Sequence, residues 1–300
     1  MGKKSKLIVV IGPTGVGKTE VTLKIAERYQ IPVINADSRQ IFKELPIGTA
    51  APTIEQQAIA THYFVATHHI TDYFSASTFE EEALQLILEN PRPLHLLSGG
   101  SMLYVDALCK GIDPMPTIRE DIRNLIMQRL ANEGLAALTE ELKTLDPEHW
   151  QIVDKQNPRR VVHALEICHQ TGKTYTSFRT NTKKERPFDL IKIGLNRPRE
   201  ELYTRINRRV EEMIDNGLIQ EALKIYPYRT LNALNTVGYK ETFDYLDGLA
   251  TLQETITRIQ NNTRKYARKQ ITWFKKDPQT QWFHPEEIHE ILHFIDKNTQ

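Results

Sequence analysis

The chain lacks several features that mark secreted, membrane-bound or metal-stabilised proteins. Its two cysteines, Cys109 and Cys168, lie far apart and form no C-x-x-C pattern, which argues against a disulfide framework or a zinc site and fits a reducing cytosol. No stretch approaches the roughly 20 apolar residues that span a bilayer. The N-terminal apolar run has only about five residues before Gly-Pro, too few for a signal peptide. We therefore expect a cytoplasmic protein that makes no membrane contact.

The chain also has no large excess of charge of either sign, because its 39 lysine and arginine residues are nearly balanced by 38 aspartate and glutamate residues, for a formal net charge of +1. Any basic surface for a nucleic acid must therefore be local. The segment 258–276, RIQNNTRKYARKQITWFKK, has seven basic residues, no acidic one and interleaved aromatic residues, and NPRR at 157–160 is a second basic cluster. Such a run is usually a solvated helix face, but it also suits binding to a polyanion. The residues alone leave both interpretations open.

The stretch VVIGPTGVGKTE, Val9 to Glu20, fits the phosphate-binding pattern G-x-x-x-x-G-K-[ST]. In this pattern the backbone N–H groups of the loop and of the helix N-terminus point at anionic oxygens. Lys18 supplies a positive charge, and the hydroxyl of Thr19 can ligate Mg²⁺. We predict that a di- or triphosphate binds to this loop, which consists of Gly12, Pro13, Thr14, Gly15, Val16, Gly17, Lys18 and Thr19.

The first hundred residues alternate between strand and helix patterns. Strands are predicted at 7–11, in IPVIN and in LHLLSG, and helices at 17–29 and after a capping box at Ser77-x-x-Glu80. This alternation predicts an α/β fold with a parallel sheet of the P-loop NTPase or kinase type. Ligands of such sheets bind at the carboxyl ends of the strands. The loops at 12–19, 37–40 and 99–101 should therefore line one crevice.

The pattern changes to helix alone from about 117 to 180. A strand returns at 188–196, and the helix after it places Leu202, Ile206, Val210, Met213 and Ile214 on one face, before a last long helix at about 251–275. We therefore predict a catalytic core of residues 1–116 and 186–300 with an all-helical insertion domain at 117–185.

Two polar features follow predicted strands of the core. A carboxylate such as Asp37 most often caps the next turn, but beside a phosphate loop it can be a general base or an outer partner of a metal. Gly99 and Gly100 either start a helix or let a ligand approach closely, with the Ser101 hydroxyl reaching the crevice. The residues alone thus predict a Mg²⁺-dependent enzyme acting on a phosphorylated ligand, and a small-molecule kinase remains an alternative.

Six segments, in order between about residues 7 and 275, resemble one family, the tRNA dimethylallyltransferases or tRNA isopentenyl-pyrophosphate transferases. They are GPTGVGKT, DSRQIFKELPIGTAAP, GGSMLYVDAL, QNPRRVVHALEICHQTGKT, NTVGYKE and TRKYARKQITWFK. A phosphate loop alone is weak evidence, whereas six motifs in register are specific. No C₂H₂ zinc-finger pattern follows residue 275, which favours the bacterial form.

The resemblance implies transfer of a dimethylallyl group from dimethylallyl diphosphate to N6 of the adenine 3′-adjacent to the anticodon in tRNAs. The loop at 12–19 would then hold the diphosphate of an allylic donor and not a nucleoside triphosphate. Mg²⁺ is the implied cofactor, with Thr19 as its ligand, and we expect a monomer that binds the tRNA anticodon stem-loop. The implied catalytic residues are Asp37 as the base, Thr19, Ser101, and Arg205 on the diphosphate.

The resemblance also implies a set of tRNA contacts in both predicted domains. They comprise Asp37, Ser38, Arg39, Gln40, Ser101, Arg123, Arg159, Arg160, Val161, Val162, His163, Asn235, Thr236, Val237, Gly238, Tyr239 and Lys240. Three positions depart from the family pattern: Ser101 replaces Thr, Phe42 replaces Tyr and His163 replaces Arg. Two other functions remain as alternatives. A kinase needs an arginine-rich lid, for which no clear candidate appears, and a non-enzymatic RNA-binding ATPase has no use for Asp37.

Overall fold

The computed structural model describes residues 4–180 and 184–299. By its internal contacts the chain divides into two compact units, one made of Met1–Lys110 and Glu185–Gln300 and the other of Gly111–Lys184. The second unit begins six residues earlier than the sequence boundary at 117, because a residue pattern marks the first helix and not the extended chain before it. Within the described residues, no helix has the length and apolar character needed to cross a membrane.

The first unit contains a six-stranded sheet in the order β3-β2-β4-β1-β5-β6, with parallel pairing throughout. The strands are β1 (Ser5–Ile11), β2 (Val33–Asn35), β3 (His62–Tyr63), β4 (Leu94–Gly99), β5 (Phe188–Leu195) and β6 (Gln281–Phe283). This confirms the predicted α/β fold with a parallel sheet. The sequence did not reveal β3 and β6, because two or three residues are too few to show a strand pattern.

The helices of the described chain are, in order, α1 (Lys18–Tyr29), α2 (Ile54–Ile59), α3 (Ala76–Glu89), α4 (Met102–Lys110), α5 (Glu120–Leu145), α6 (Pro147–Ile152), α7 (Pro158–Thr171), α8 (Tyr175–Phe178), α9 (Arg199–Asp215), α10 (Leu218–Ile225), α11 (Tyr239–Leu246), α12 (Leu252–Phe274) and α13 (Ile288–Thr299). Helices α5 to α8 form the second unit, which contains no strand among its described residues, as the sequence predicts.

The apolar run of β1 is buried on both of its faces. Leu7 and Val9 pack into one hydrophobic cluster, whereas Ile8 and Val10 pack into another on the opposite face of the sheet. Successive side chains of a strand point to opposite faces, and a parallel sheet carries helices on both. This central strand therefore requires a continuous apolar run. Because the strand is packed on both faces, the phosphate loop that follows it has a fixed position.

The predicted start of α3 was wrong by two residues. Ser75, not Ser77, caps this helix, and its Oγ accepts a hydrogen bond from the backbone N–H of Thr78 at 3.1 Å. Glu80, which the predicted capping box used, is instead buried and lies 2.7 Å from Nη2 of Arg186. Serines two residues apart compete for the same cap, so the residue pattern does not choose between them.

Candidate active site

The loop between β1 and α1 has the conformation of a phosphate-binding loop. Gly15 and Gly17 have φ of 81° and 106°, in the left-handed region that other residues rarely adopt. A Cβ at Gly15 would also lie 2.8 Å from Cγ1 of Ile206, so helix α9 packs directly against the loop. Lys18 Nζ donates to the carbonyl oxygens of Gly12 and Pro13, at 2.9 Å each. The backbone therefore requires glycine at position 17, which the pattern specifies, and also at 15, where the pattern allows any residue.

The positive charge of Lys18 lies in a poorly solvated position. Burial lowers its pKa from the ordinary 10.5 to about 8, while the charge of Asp37 raises the pKa and that of Arg209 lowers it. A partly dehydrated ammonium group gains more from a bound anion than one in water does, because the local dielectric is low. The phosphate loop therefore has a cation suited to an anionic ligand, with Asp37 and Arg209 close enough to influence it.

Asp37 follows β2, and its carboxylate is held by hydrogen bonds to one of its two oxygens. Its Oδ1 accepts hydrogen bonds from the backbone N–H groups of Arg39 at 2.9 Å and Gln40 at 3.3 Å, so the carboxylate does cap the next turn. Within the described chain, no hydrogen bond engages Oδ2. One oxygen therefore orients the carboxylate, and the other remains available to accept a proton.

Ser101 ties the turn after β4 to the turn after β2. Its buried Oγ accepts from the backbone N–H of Ser38 at 2.8 Å and donates to Ser38 Oγ at 3.1 Å. The hydroxyl that replaces the usual threonine thus contacts Ser38 and not Asp37. A Cβ at Gly100 would lie 3.5 Å from Lys18 Nζ, so the turn after β4 also lies against the phosphate loop. The loops at 12–19, 37–40 and 99–101 therefore lie side by side, as predicted.

Arg205 lies at the phosphate loop, on helix α9. Its Nε donates to the carbonyl oxygen of Gly15 at 3.1 Å, and its Nη2 lies 3.9 Å from the carboxylate of Glu20. The side chain is 41% exposed, so it remains accessible to a ligand on the loop. The structure thus brings Arg205 to the phosphate loop, where the family resemblance implies a diphosphate contact.

Three residues of the crevice were not recognised as site residues from the sequence. Arg209 lies one helical turn after Arg205, a spacing that would have suggested a common face. Tyr266 lies beside Ser101 and Asp37, and burial, followed by the charge of Asp37, raises its pKa to about 12. Gln270 lies one further turn along α12. The sequence analysis took Tyr266 as one of the aromatic residues interleaved in the basic segment 258–276, and Gln270 gave no signal there.

The segment 235–240, for which the resemblance implies tRNA contacts, has both buried and exposed side chains. Tyr239 is fully buried, and its hydroxyl donates to Oε1 of Glu221 at 2.6 Å. The same carboxylate accepts from the backbone N–H groups of Ile47 and Gly48, at 2.8 Å each. Tyr239 therefore supports the loop at 47–50 from inside, and its side chain does not reach the surface. Lys240 is exposed.

The second unit has its own small hydrophobic core, which includes Val161 and Val162. Their side chains are accordingly unavailable for the predicted tRNA contact, since the apolar face of α7 points inward. Arg159 and Arg160, in the first turn of the same helix, are exposed. Arg123 is 43% exposed and lies 3.6 Å from Glu166, and His163 also faces this carboxylate. Of the tRNA contacts that the resemblance implies in this unit, Arg123, Arg159 and Arg160 thus have charged side chains that reach the surface.

Comparison with known proteins agrees with the six motifs. The family model described as IPP transferase matches residues 40–277. The chain is 58% identical over 291 residues to tRNA dimethylallyltransferase 1 of Phocaeicola vulgatus, covering 96% of this chain and 97% of the relative. It is 47% identical over 296 residues to the tRNA dimethylallyltransferase of Cytophaga hutchinsonii, covering 98% and 97%.

Solved structures of transferases with these names also superpose on the chain. The tRNA isopentenylpyrophosphate transferase of Bacillus halodurans superposes with a TM-score of 0.73 and 36% identity, covering 99% of this chain and 97% of that one. A eukaryotic dimethylallyltransferase acting on tRNA superposes with a TM-score of 0.75 and 25% identity, covering 90% and 69%. With this coverage and a phosphate loop beside Asp37 and Ser101, the chain belongs to the IPP transferase family, the tRNA dimethylallyltransferases that its motifs resemble.

Proposed function

We propose that this protein transfers a dimethylallyl group from dimethylallyl diphosphate to N6 of the adenine 3′-adjacent to the anticodon in tRNAs and releases diphosphate. The observation that carries the proposal is the pairing of a phosphate loop with Asp37, whose Oδ1 is held by two backbone N–H groups while Oδ2 is unengaged within the described chain. The relatives are named as tRNA dimethylallyltransferases, which favours this group transfer over the kinase alternative.

The phosphate loop would bind the diphosphate of the donor. When the allylic C–O bond breaks, its electron pair stays with the diphosphate, which gains one negative charge. We propose that the loop N–H groups, Lys18 and Arg205 surround this charge, since both side chains contact backbone carbonyl oxygens of the phosphate loop. Groups fixed in advance around a developing charge lower the barrier without reorganising, so these residues favour departure of the diphosphate.

The residues present also fit Mg²⁺. Among the described residues, the Thr19 hydroxyl has no hydrogen-bond partner, although it follows Lys18 at the start of α1. Hydroxyl, phosphate and carboxylate oxygens are the ligands that this hard cation prefers, and Asp37 provides a carboxylate in the same crevice. Bound Mg²⁺ would neutralise charge on the diphosphate. We propose Thr19 as its direct ligand from the protein.

Asp37 would accept the proton released by the nucleophile. As N6 of adenine forms a bond to the allylic carbon, the amine becomes positively charged and loses a proton to Oδ2. Adenine N6 is a weak nucleophile because its lone pair is delocalised into the ring, so a positioned base is useful. The adenine must leave the stack of the anticodon loop to reach a recessed carboxylate.

The anticodon stem-loop would be held by basic side chains. In the second unit these are Arg123, Arg159 and Arg160, and in the first unit Lys240 is exposed. Contacts to phosphates give affinity, while contacts to the extruded base select it. Ser38, Arg39 and Gln40, which follow Asp37 directly, are proposed to contact the base. We further propose that the protein acts as a monomer in the cytoplasm.

The test is an incubation with Mg²⁺, radiolabelled dimethylallyl diphosphate and unmodified tRNA that carries adenine 3′ of the anticodon. The proposal predicts label in this tRNA and none in a matched tRNA with guanine at that position. Asp37→Asn, which keeps an oxygen for the two backbone N–H groups, should abolish labelling. If no label reaches the tRNA while ATP is consumed with some metabolite, the kinase alternative is correct instead.

A further inference from the structure

Arg197 links the phosphate loop to the C-terminal part of the chain. It lies between β5 and α9, and its side chain is only 4% exposed. Its Nε donates a hydrogen bond to the carbonyl oxygen of Val16 at 2.8 Å. A guanidinium group that is removed from water thus directs one of its donors at the backbone of the phosphate loop.

The other end of the guanidinium contacts groups from two further segments. Its Nη1 donates to Glu201, in the first turn of α9. The same nitrogen lies 3.3 Å from Oε1 of Glu286 and 3.4 Å from Nε2 of His284, both in the connection between β6 and α13. A guanidinium is planar and presents its donors at fixed angles, so these partners fix the direction in which Nε points.

The connection between β6 and α13 also packs against the phosphate loop. A Cβ at Gly17 would lie 3.6 Å from Cβ of Pro285 and 3.7 Å from Nη2 of Arg197. This connection follows residue 277, where the family match ends, and none of the six motifs contains Arg197. The family pattern therefore assigns no role to this arrangement.

The Val16 carbonyl oxygen and the Gly17 N–H group belong to one planar peptide unit, in which they point in opposite directions. Because Arg197 holds the oxygen on the side of α9, the N–H group points to the other side. Among the described residues, this N–H group makes no hydrogen bond. Gly17 has a φ of 106°, and glycine adopts either sign of φ with similar ease, so the peptide could rotate if its oxygen were not held.

We propose that Arg197 is a positioning residue, which holds the peptide between Val16 and Gly17 so that the Gly17 N–H group faces the diphosphate of the donor. Its carboxylate and imidazole partners in turn hold Arg197. N–H groups of a phosphate loop bind anions best when their direction is fixed before the ligand arrives. The inference rests on the proposed function only for the identity of the anion.

The alternative is that Arg197 only ties α9 to the connection between β6 and α13. Removing one partner of a buried ion pair is strongly destabilising, so a loss of stability alone fits both roles. The positioning role differs because it requires a donor at the Val16 carbonyl oxygen. Ligand affinity and the direction of the Gly17 N–H group therefore separate the two roles.

The first experiment measures the affinity of the full-length protein for inorganic pyrophosphate with Mg²⁺ by calorimetry. Arg197→Met keeps an unbranched side chain but has no donor, and it should raise the dissociation constant by about tenfold. Arg197→Lys keeps a donor and should restore most of the affinity. Arg208→Gln, at an 80% exposed position of α9, should stay within about twofold of wild type. If Arg197→Met has a lower melting temperature but binds pyrophosphate as tightly as wild type, the role is only structural and the inference is overturned.

A second pair of variants keeps the inference testable if Arg197→Met does not fold. The triple variant Arg197→Met/Glu201→Gln/Glu286→Gln removes the carboxylates together with their cation, so no buried charge is left without a partner. Its matched control, Glu201→Gln/Glu286→Gln, keeps the donor to Val16. The triple variant should bind pyrophosphate about tenfold more weakly than this control. Equal affinity would overturn the inference.

The second experiment follows the Gly17 amide signal by NMR on deuterated protein. Saturating pyrophosphate with Mg²⁺ should move the proton signal downfield in wild type, because the N–H group gains an anionic acceptor. In saturated Arg197→Met the shift should be smaller, and Arg197→Lys should recover most of it. A merely structural role would not change this shift, so equal shifts in wild type and Arg197→Met would contradict the inference.

Failure of this inference can be distinguished from failure of the proposed function. Wild-type protein that binds pyrophosphate more tightly than Arg197→Met, but transfers no label to tRNA, contradicts the proposed function alone. Normal labelling of tRNA by wild type, together with equal pyrophosphate affinity in wild type and Arg197→Met, contradicts the inference alone.

Discussion

The side-chain oxygen of Gln270 accepts a hydrogen bond from the backbone N–H of Thr14 at 2.9 Å. Its Nε2 donates to the carbonyl oxygen of Gly100 at 2.8 Å, and the side chain is almost fully buried. One amide thus links the phosphate loop after β1 to the glycine turn after β4. Helix α12 is basic on its exposed side, yet on its inner side it joins the two loops that form the crevice.

Replacing Gln270 should therefore disturb both loops. Gln270→Ala removes the partner of two buried backbone groups, and we expect a loss of about 2–4 kcal/mol in the free energy of unfolding. Gln253→Ala, at an exposed position near the start of the same helix, should change it by less than about 0.5 kcal/mol. Urea denaturation measures both variants, and equal effects would show that the bridge contributes nothing.

Asp37→Asn should separate the structural role of Asp37 from its chemical one. The amide oxygen can still accept from the N–H groups of Arg39 and Gln40, so the melting temperature and the pyrophosphate affinity should stay near wild type. An amide is not a useful base, so we expect kcat for labelling of tRNA to fall by about a hundredfold or more. Wild-type turnover by this variant would remove Asp37 from the proton transfer.

The depressed pKa of Lys18 predicts two pH effects. Because the pKa falls from 10.5 to about 8 on folding, the unfolded chain binds more protons between these values. This group therefore makes stability rise with pH across that window. Pyrophosphate affinity should fall above about pH 8, as Lys18 loses its charge.

Lys18→Arg is the control for the effect on affinity, because arginine stays charged throughout this range and pyrophosphate itself titrates equally in both experiments. The ratio of wild-type to variant affinity between pH 7 and pH 9.5 isolates the lysine. A ratio that is constant with pH would contradict the assignment of a depressed pKa to Lys18.

Tyr239 and Lys240 are neighbours that should respond in opposite ways. Tyr239→Phe removes the donor to buried Glu221 and should lower the free energy of unfolding by about 1–3 kcal/mol, with tRNA affinity changed little. Lys240→Ala, at an exposed position, should leave stability unchanged and weaken tRNA binding by about twofold to tenfold. Denaturation and filter binding on both variants check the contrast. A weaker tRNA complex with Tyr239→Phe alone would reverse the assignment.

The pair Arg159 and Arg160 should control the salt dependence of tRNA binding. Each phosphate contact that is lost lowers the slope of log affinity against log salt by about 0.7–0.9, so the double alanine variant should lose about 1.5. Lys143→Ala, an exposed cation of the same unit that pairs with Glu140, should change the slope less. An unchanged slope in the double variant would reassign this cluster to an ordinary solvated surface.

Local patterns were sufficient for the parts of the fold that depend on short-range physics. The phosphate loop requires glycines at positions with positive φ, and β1 requires an apolar run, so both are readable in Val9 to Glu20. The cap of α3 was misplaced because Ser75 and Ser77 satisfy the same local rule. Strand β6 and helix α13 were missed, since their short or late segments are stabilised by contacts with distant parts of the sheet.

The residues of the candidate site likewise fall into those that short motifs predict and those that only the tertiary structure places. By itself the sequence determined the phosphate loop, the carboxylate after β2 and the hydroxyl at Ser101, because each belongs to a short motif whose chemistry does not depend on distant residues. The resemblance of six such motifs, in order, determined the family. Only the tertiary structure decided that Gln270 and Arg209 enter the crevice and that Tyr239 is buried. Whether a polar residue of an amphipathic helix faces a site, a core or water depends on the element packed against it, and that element lies far away in the chain.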